Sequence, residues 1–299
     1  MILVFGGDGQ LGRELVRAAS LTNVPLSAFG RSAADIADRT AVERALSEVQ
    51  ASVVVNAAAY TKVDQAESQA SAAKRSNTLG PEVVASVCAS AGIPLVHIST
   101  DYVFDGKKEG SYSEADSIAP IGVYACTKAE GEGAVRSRSS KHIILRTAWI
   151  YGEFGNNFLK TMVRLAQQRD ELRVVADQRG CPTSTIDLAS AIVRIAPRLI
   201  AGDAPWGTYH FAGEGVTTWH GFAERIVAAQ APITNRNPRV VPITSAEYPT
   251  AVRRPANTVL DCSRFAQTFS FRARPWGERV DDITVRVVRN CVRAPGMTV

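Results

Sequence analysis

The sequence predicts an α/β fold with a doubly wound parallel sheet and a smaller C-terminal substrate domain. In the first half, short apolar segments rich in β-branched residues alternate with amphipathic stretches of helical period. A glycine-rich turn directly follows the first of these apolar segments. Apolar strands joined by helices are typical of a parallel sheet that helices cover on both faces. Since crossovers between parallel strands are right-handed, a doubly wound topology follows.

The strands and helices of the first half alternate along the chain. The predicted strands are Ile2–Phe5, Leu26–Phe29, Val53–Asn56, Leu95–Ser99 and Ile143–Arg146. The helices predicted between them are Leu11–Ala19, Thr40–Val49, Gln65–Asn77, Gly80–Ala91 and Val123–Arg136. Within the second helix, Val42, Leu46 and Val49 recur at spacings that place them on one face.

The second half of the chain is less regular. Helices are predicted at Phe158–Gln168, Ile186–Ile200 and Trp219–Gln230, with strands at Arg173–Ala176 and Thr208–Phe211. Prolines at 232, 238, 242, 249 and 255 are expected to break the next stretch into loops and short elements. We therefore predict a dinucleotide-binding domain over 1–150 and a substrate domain over 151–299, interleaved with segments that return to the core.

Composition narrows the functional class. The net charge is only +5 without a dense Lys/Arg block, so we expect no nucleic-acid partner. No apolar run reaches the length of a membrane span, and the N-terminus lacks the features of a secretory signal. Five scattered cysteines without a C-x-x-C pair indicate reduced thiols and a cytoplasmic location: Cys88, Cys126, Cys181, Cys262 and Cys291. The four histidines lack metal-ligand spacing, so no metal site is predicted from the residues alone.

Gly6, Gly9 and Gly12 lie between the first strand and the first helix. Glycines at this spacing allow a tight turn, close approach of a pyrophosphate to the backbone, and packing of the helix on the strand. The helix N-terminus then offers free N–H groups and a positive dipole end to phosphates. The alternative is a glycine-rich turn without a ligand. The position favours a Rossmann-like dinucleotide site.

The end of the second strand bears on the choice of coenzyme. An acidic residue there binds the ribose 2′-hydroxyl of NAD, whereas an arginine suits the 2′-phosphate of NADP. Phe29 is followed by Gly30 and Arg31, and the first acid is Asp35. The donor fork of Arg31 favours NADPH, with NADH as the alternative coenzyme and a solvated arginine as the structural alternative.

The most specific pattern for catalysis combines Ser99-Thr100-Asp101-Tyr102 with Tyr124-Ala-Cys-Thr-Lys128. Tyr124 and Lys128 are four residues apart, which places them on one face of a helix. A neighbouring ammonium is expected to favour the phenolate and so tune Tyr124 as an acid–base group. Thr100 could hydrogen-bond the same substrate carbonyl. Alone, Y-x-x-x-K usually marks an exposed helix pair, so the pattern gains its weight from the preceding motifs.

The chain resembles the extended short-chain dehydrogenase/reductase family, and within it the branch that reduces 4-keto sugar nucleotides. The motifs that carry this resemblance extend over nearly the whole chain. Besides those above they include Val54-Val55-Asn56-Ala57-Ala58-Ala59, Val63-Asp64-Gln65-Ala66-Glu67, Arg146-Thr147-Ala148-Trp149, Gly155-Asn156-Asn157-Phe158, Asp177-Gln178 with Pro182-Thr183, and Arg253-Arg254-Pro255.

The resemblance implies hydride transfer from NADPH to the C4 ketone of dTDP-4-dehydro-β-L-rhamnose, giving dTDP-β-L-rhamnose. It implies that Thr100, Tyr124 and Lys128 form the catalytic set and that Thr100, Asp101 and Trp149 contact the sugar. Lys128 would also bind the nicotinamide ribose, and Tyr124 would lie beside the cofactor. The other implied cofactor contacts are Gly9, Gln10 and Leu11 at the pyrophosphate, Asp35 and Ile36 at the adenine, and Ala59, Tyr60 and Thr61 at the nicotinamide side.

Several positions keep two interpretations. Asp8 lies near the expected phosphates, which is electrostatically unfavourable unless it faces solvent, and Tyr60 stands where many relatives have histidine. Trp149 could be a core residue or a ligand contact, and Arg253-Arg254 could bind the substrate diphosphate or form salt bridges. Mg²⁺ and a homodimer are implied by the resemblance alone.

Two other functions remain open. A related epimerase or dehydratase would keep its cofactor oxidised, but the Asp-Glu or Glu-Lys pair typical of dehydratases is not seen. A catalytically silent dinucleotide-binding regulatory subunit is the second alternative. The intact set of Thr100, Tyr124 and Lys128 argues against it, because a silent protein need not retain all three.

Overall fold

The computed structural model describes residues 1–293, with side chains to residue 290. Its strands are β1 Ile2–Phe5, β2 Leu26–Phe29, β3 Val53–Asn56, β4 Leu95–Thr100, β5 His142–Thr147, β6 Ile150–Tyr151, β7 Glu171–Val175, β8 Arg179–Gly180, β9 Thr183–Ser184, β10 Gly207–His210, β11 Thr217–Thr218 and β12 Arg239–Ile243. The α-helices are α1 Gln10–Leu21, α2 Arg39–Glu48, α3 Val63–Ser68, α4 Ala70–Lys74, α5 Gly80–Ser90, α6 Gly122–Arg138, α7 Phe158–Gln168, α8 Thr185–Ile200, α9 Trp219–Thr234, α10 Ser263–Phe269 and α11 Trp276–Arg293.

Six parallel strands form the central sheet in the order β10-β5-β4-β3-β1-β2. Strand order reverses between β1 and β3, which creates a crevice at the carboxyl ends of these strands where such sheets bind ligands. One face packs against α1, α8 and α10. The other face packs against α2, α5 and α6. The predicted α/β class with a doubly wound parallel sheet is confirmed.

The second half of the chain contributes to both parts of the molecule. Helix α8 packs on α1, and β10 extends the central sheet beyond β5. A separate core joins α7, α9 and α11 to β7 and β12, which pair in parallel. The division near residue 150 stays a prediction, with β10 and α8 as segments that return to the sheet.

Two sequence expectations need correction. The single helix predicted over Gln65–Asn77 is instead α3, α4 and a π-helical turn, Arg75–Leu79, because Gln69 takes non-helical angles (φ −124°, ψ 41°). Pro232 does not end the preceding helix, since α9 continues to Thr234. The missing N–H of Pro232 removes one i→i−4 hydrogen bond, and the helix continues for only two residues beyond it.

In the described part of the chain, no helix combines the length and hydropathy needed to cross a membrane. The thiols of Cys88, Cys126, Cys181 and Cys262 are free. The side chain of Cys291 lies outside the described residues.

Candidate active site

The glycine turn between β1 and α1 is built for close backbone contacts. Gly6 has φ +86°, and a Cβ there would lie 2.6 Å from the backbone nitrogen of Ala58. A Cβ on Gly12 would lie 2.3 Å from the carbonyl oxygen of Gly6. Gly9 is the N-cap residue of α1 and offers no side chain to cap the helix, so N–H groups of the first turn stay available to a ligand. This arrangement fits a bound pyrophosphate.

A cavity of about 210 Å³ opens beside this turn. Six of the predicted cofactor residues line it: Gly6, Gly9, Arg31, Asp35, Ile36 and Ala59. Six further residues line the same cavity, which are Asp8, Gly30, Ala34, Ala57, Ala58 and Ser76. The adenosine side of the predicted site and the glycine turn therefore form one continuous surface.

Four of the predicted pyrophosphate and nicotinamide residues do not line this cavity. The side chain of Leu11 is buried in the sheet core, so its ligand contact would use the backbone N–H. Gln10 faces the loop after β6, where a Cβ on Gly155 would lie 3.1 Å from the Gln10 Cβ. The Tyr60 hydroxyl donates to Gln69 Oε1 at 2.9 Å, and Thr61 is exposed.

Two arginines approach the predicted adenine residue Asp35. Arg75, in the π-helical turn, donates to Asp35 Oδ2 at 3.0 Å, and Arg31 lies 3.8 Å from the same oxygen. The Ala37 backbone N–H also donates to Asp35 at 3.0 Å. These partners outweigh partial burial and lower the Asp35 pKa. Arg75 was not predicted as a site residue, because its region was expected to be an ordinary helix.

The predicted catalytic residues gather at the carboxyl end of β4. Tyr124 lies on α6 beside Thr100, and its ring meets the Tyr102 ring edge-on with centroids 6.0 Å apart. Lys128, one turn later, is buried and donates from Nζ to the Ile98 carbonyl oxygen at 2.7 Å. The structure thus brings Thr100, Tyr124 and the end of β4 to one place.

The protonation states differ from the sequence expectation. Burial raises the pKa of Tyr124 to about 12, with a smaller lowering by the Thr100 hydrogen bond. Burial lowers the pKa of Lys128 to about 8, and Glu132 opposes this effect. The expected lowering of the tyrosine pKa by Lys128 is absent from the described structure, because desolvation dominates and the ammonium is engaged with a carbonyl. Tyr124 therefore holds its proton at neutral pH, as a proton donor must.

Asp101 and Trp149 border this centre. The Thr100 hydroxyl donates to Asp101 Oδ1 at 3.0 Å, and burial raises the pKa of Asp101 to about 7. Trp149 takes a left-handed φ of +46° and stacks on Trp219 with centroids 3.6 Å apart. A bulky residue in this conformation is rare and tends to mark a functional or tightly packed position.

Arg254 lies near the loop after β3. Its Nη2 donates to Asp64 Oδ2 at 2.6 Å, so Arg254 forms a salt bridge, which is one of the two roles considered for it. Its buried Nη1 has no hydrogen-bond partner within residues 1–293, so a donor remains for an anionic ligand.

A larger cavity of about 400 Å³ lies between Arg179, Phe211 and Cys262. None of the predicted site residues is among those that line it in the described chain.

Among the described residues, no group of three or more His, Cys, Asp and Glu side chains is arranged to hold a metal ion. The buried carboxylates of Glu14 and Asp187 pair instead with Arg17 and Arg279, at 2.7 Å and 2.6 Å respectively.

Comparisons with known proteins agree with this geometry. The model of the family described as RmlD substrate binding domain matches residues 1–289. The dTDP-4-dehydrorhamnose reductase of Sinorhizobium fredii is 42% identical over 93% of this chain and 94% of its own length. That of Aggregatibacter actinomycetemcomitans is 42% identical over 94% and 97%.

Solved structures give the same result. A dTDP-4-dehydrorhamnose reductase from Clostridium acetobutylicum superposes with a TM-score of 0.89 at 37% identity, covering 96% of this chain and 99% of its own. The Bacillus anthracis enzyme, in complex with NADP, superposes with a TM-score of 0.88 at 33% identity, covering 95% and 98%. The chain therefore belongs to the RmlD family of dTDP-4-dehydrorhamnose reductases, within the extended short-chain dehydrogenases/reductases.

Proposed function

We propose that this chain reduces the C4 ketone of dTDP-4-dehydro-β-L-rhamnose with NADPH to give dTDP-β-L-rhamnose. The observation that carries the proposal is the position of protonated Tyr124 beside Thr100, at the same sheet edge as the glycine turn. The relatives named dTDP-4-dehydrorhamnose reductase match along more than nine-tenths of the chain.

Each residue has a defined part in the reaction. NADPH, when bound, supplies the hydride that reaches C4. Tyr124 holds the proton that passes to the carbonyl oxygen, and Thr100 orients that oxygen by a hydrogen bond. Lys128 would bind ribose hydroxyls of the coenzyme, and Trp149 with Asp101 would border the sugar. Arg254 has the free donor suited to a diphosphate oxygen.

The coenzyme preference is part of the proposal. Arg31 is exposed at the rim of the 210 Å³ cavity, where its guanidinium can pair with a 2′-phosphate. NADPH is therefore the preferred coenzyme, and NADH the second. We also propose a cytoplasmic enzyme, in keeping with its free thiols, and a homodimer, which light scattering would test.

The test is NADPH oxidation with dTDP-4-dehydro-L-rhamnose generated in place, for wild type and Tyr124→Phe. Loss of the proton donor should lower kcat by about 10²- to 10⁴-fold. NADPH affinity, measured by fluorescence, should stay close to wild type. Coenzyme binding without turnover would contradict the assigned substrate and favour another sugar nucleotide or a silent regulatory subunit.

A further inference from the structure

Asp8 and Gly30 meet at the rim of the coenzyme cavity. Asp8 lies on the glycine turn, and Gly30 is the first residue after β2. A Cβ on Gly30 would lie 1.8 Å from Oδ2 and 2.5 Å from Cγ of Asp8. The Asp8 carboxylate therefore occupies the place where a side chain at position 30 would begin.

That place has a known chemical role in sheets of this topology. An acid at the end of the second strand accepts a hydrogen bond from the adenosine ribose 2′-hydroxyl. Position 30 here has no side chain, and Asp8 delivers a carboxylate to the same point from the glycine turn, whose Gly6 and Gly7 N–H groups donate to the Phe29 carbonyl oxygen. Both residues line that cavity.

The other nearby acid is already engaged. Asp35 accepts from Ala37 and Arg75 and lies near Arg31. The Asp8 carboxylate, by contrast, has neither a salt bridge nor a hydrogen bond within the described residues. Asp8 is therefore the carboxylate with free acceptor capacity at this rim.

We infer that Asp8 is a coenzyme specificity-determining residue that accepts the ribose 2′-hydroxyl of NADH and repels the 2′-phosphate of NADPH. Arg31 has the opposite effect, because a guanidinium attracts the phosphate. The inference rests on the proposed binding of the dinucleotide in this cavity. Asp8 thereby limits the NADPH preference and keeps NADH usable.

The experiment measures dissociation constants of NADH and NADPH by fluorescence for the full-length wild type and Asp8→Asn. This change keeps the size of the side chain and removes its charge. The ratio of the two constants should shift toward NADPH by about tenfold, as expected for loss of one charge near a phosphate. Arg31→Ala should shift the ratio toward NADH. Glu48→Gln, which removes an exposed acid on α2, is the matched control and should leave it unchanged.

Gly30→Ala provides a second test that leaves Asp8 in the chain. The added methyl group would collide with the Asp8 carboxylate and displace it, and the backbone of Gly30 is outside the left-handed region. The ratio should again shift toward NADPH, and combining the change with Asp8→Asn should add little.

Three outcomes would count against the inference. An unchanged ratio in Asp8→Asn, with normal NADPH binding, overturns it and leaves the proposed function standing. Equal weakening of both coenzymes overturns it too, because it would show only a structural role. If wild type binds neither coenzyme, the proposed function fails together with the inference.

Discussion

Burial sets the pH range over which Lys128 carries its positive charge. Its ammonium donates to the Ile98 carbonyl, and burial lowers its pKa to about 8 while Glu132 acts in the opposite direction. A lysine at the surface would stay charged far above this pH. The positive charge that would hold the coenzyme ribose is therefore lost within a pH range that a binding assay can cover.

The first prediction concerns this titration. As pH rises through about 8, Lys128 loses its proton, so the dissociation constant of NADPH should increase by up to about tenfold per pH unit until it reaches the value of a variant without this charge. Fluorescence titration from neutral to alkaline pH measures it. Lys128→Met should bind more weakly with a flat profile, whereas Lys141→Met, an exposed control, should follow wild type. A flat wild-type profile would contradict the assignment.

At the scale of elements, the π-helical turn Arg75–Leu79 positions the end of β3. Asn77 in this turn accepts from the Tyr60 backbone N–H at 2.8 Å and donates to the Tyr60 carbonyl oxygen at 3.1 Å. It also donates to the Thr127 hydroxyl at 3.2 Å, on the helix that carries Tyr124. One buried amide therefore joins the coenzyme-side loop to the catalytic helix. π-turns occur often at functional sites.

The second prediction follows from these three bonds. Asn77→Ala should leave buried groups unpaired and lower the free energy of unfolding by on the order of 1–3 kcal/mol. It should also weaken NADPH binding, because the loop after β3 lines the cavity. Urea unfolding and coenzyme titration measure the two effects. Lys74→Ala, exposed on the preceding helix, is the control; equal behaviour of both variants would refute the role of the amide.

At the scale of the whole molecule, a buried cluster links the late strand β10 to the early sheet. Arg146 on β5 donates to both oxygens of Glu132 on α6, at 2.9 Å and 2.8 Å. Its Nη1 also lies 3.4 Å from the His210 Nε2 on β10. Burial lowers the pKa of His210 to about 4, so the ring is neutral beside the guanidinium.

The third prediction tests this linkage. Glu132→Gln leaves the Arg146 charge buried without its carboxylate and should cost about 3–5 kcal/mol of unfolding free energy. The matched change Glu82→Gln breaks an exposed ion pair with Arg138 and should cost less than about 1 kcal/mol. Both values come from urea unfolding. Similar losses in the two variants would show that the cluster does not stabilise the sheet.

The hydrophobic pattern of the sequence predicted those elements that depend on interactions between neighbouring residues. Strands β1, β2 and β3 begin and end at the predicted residues, because fully or partly buried parallel strands are short apolar runs flanked by turn residues. The region Gln65–Asn77 was mispredicted, since its helical period continues through the break at Gln69. The two-residue strands of the second half were missed because their partners are distant in sequence.

Short-range features of the sequence account for strands β1 to β3, the glycine turn and the Tyr124–Lys128 spacing, because periodicity, glycine geometry and helical repeat act over a few residues. Packing between distant segments places Asp8 over Gly30, brings Arg75 to Asp35 and stacks Trp149 on Trp219. Burial within the folded chain also raises the pKa of Tyr124 to about 12. These features depend on contacts between distant segments and on burial, which are settled only when the loops pack together.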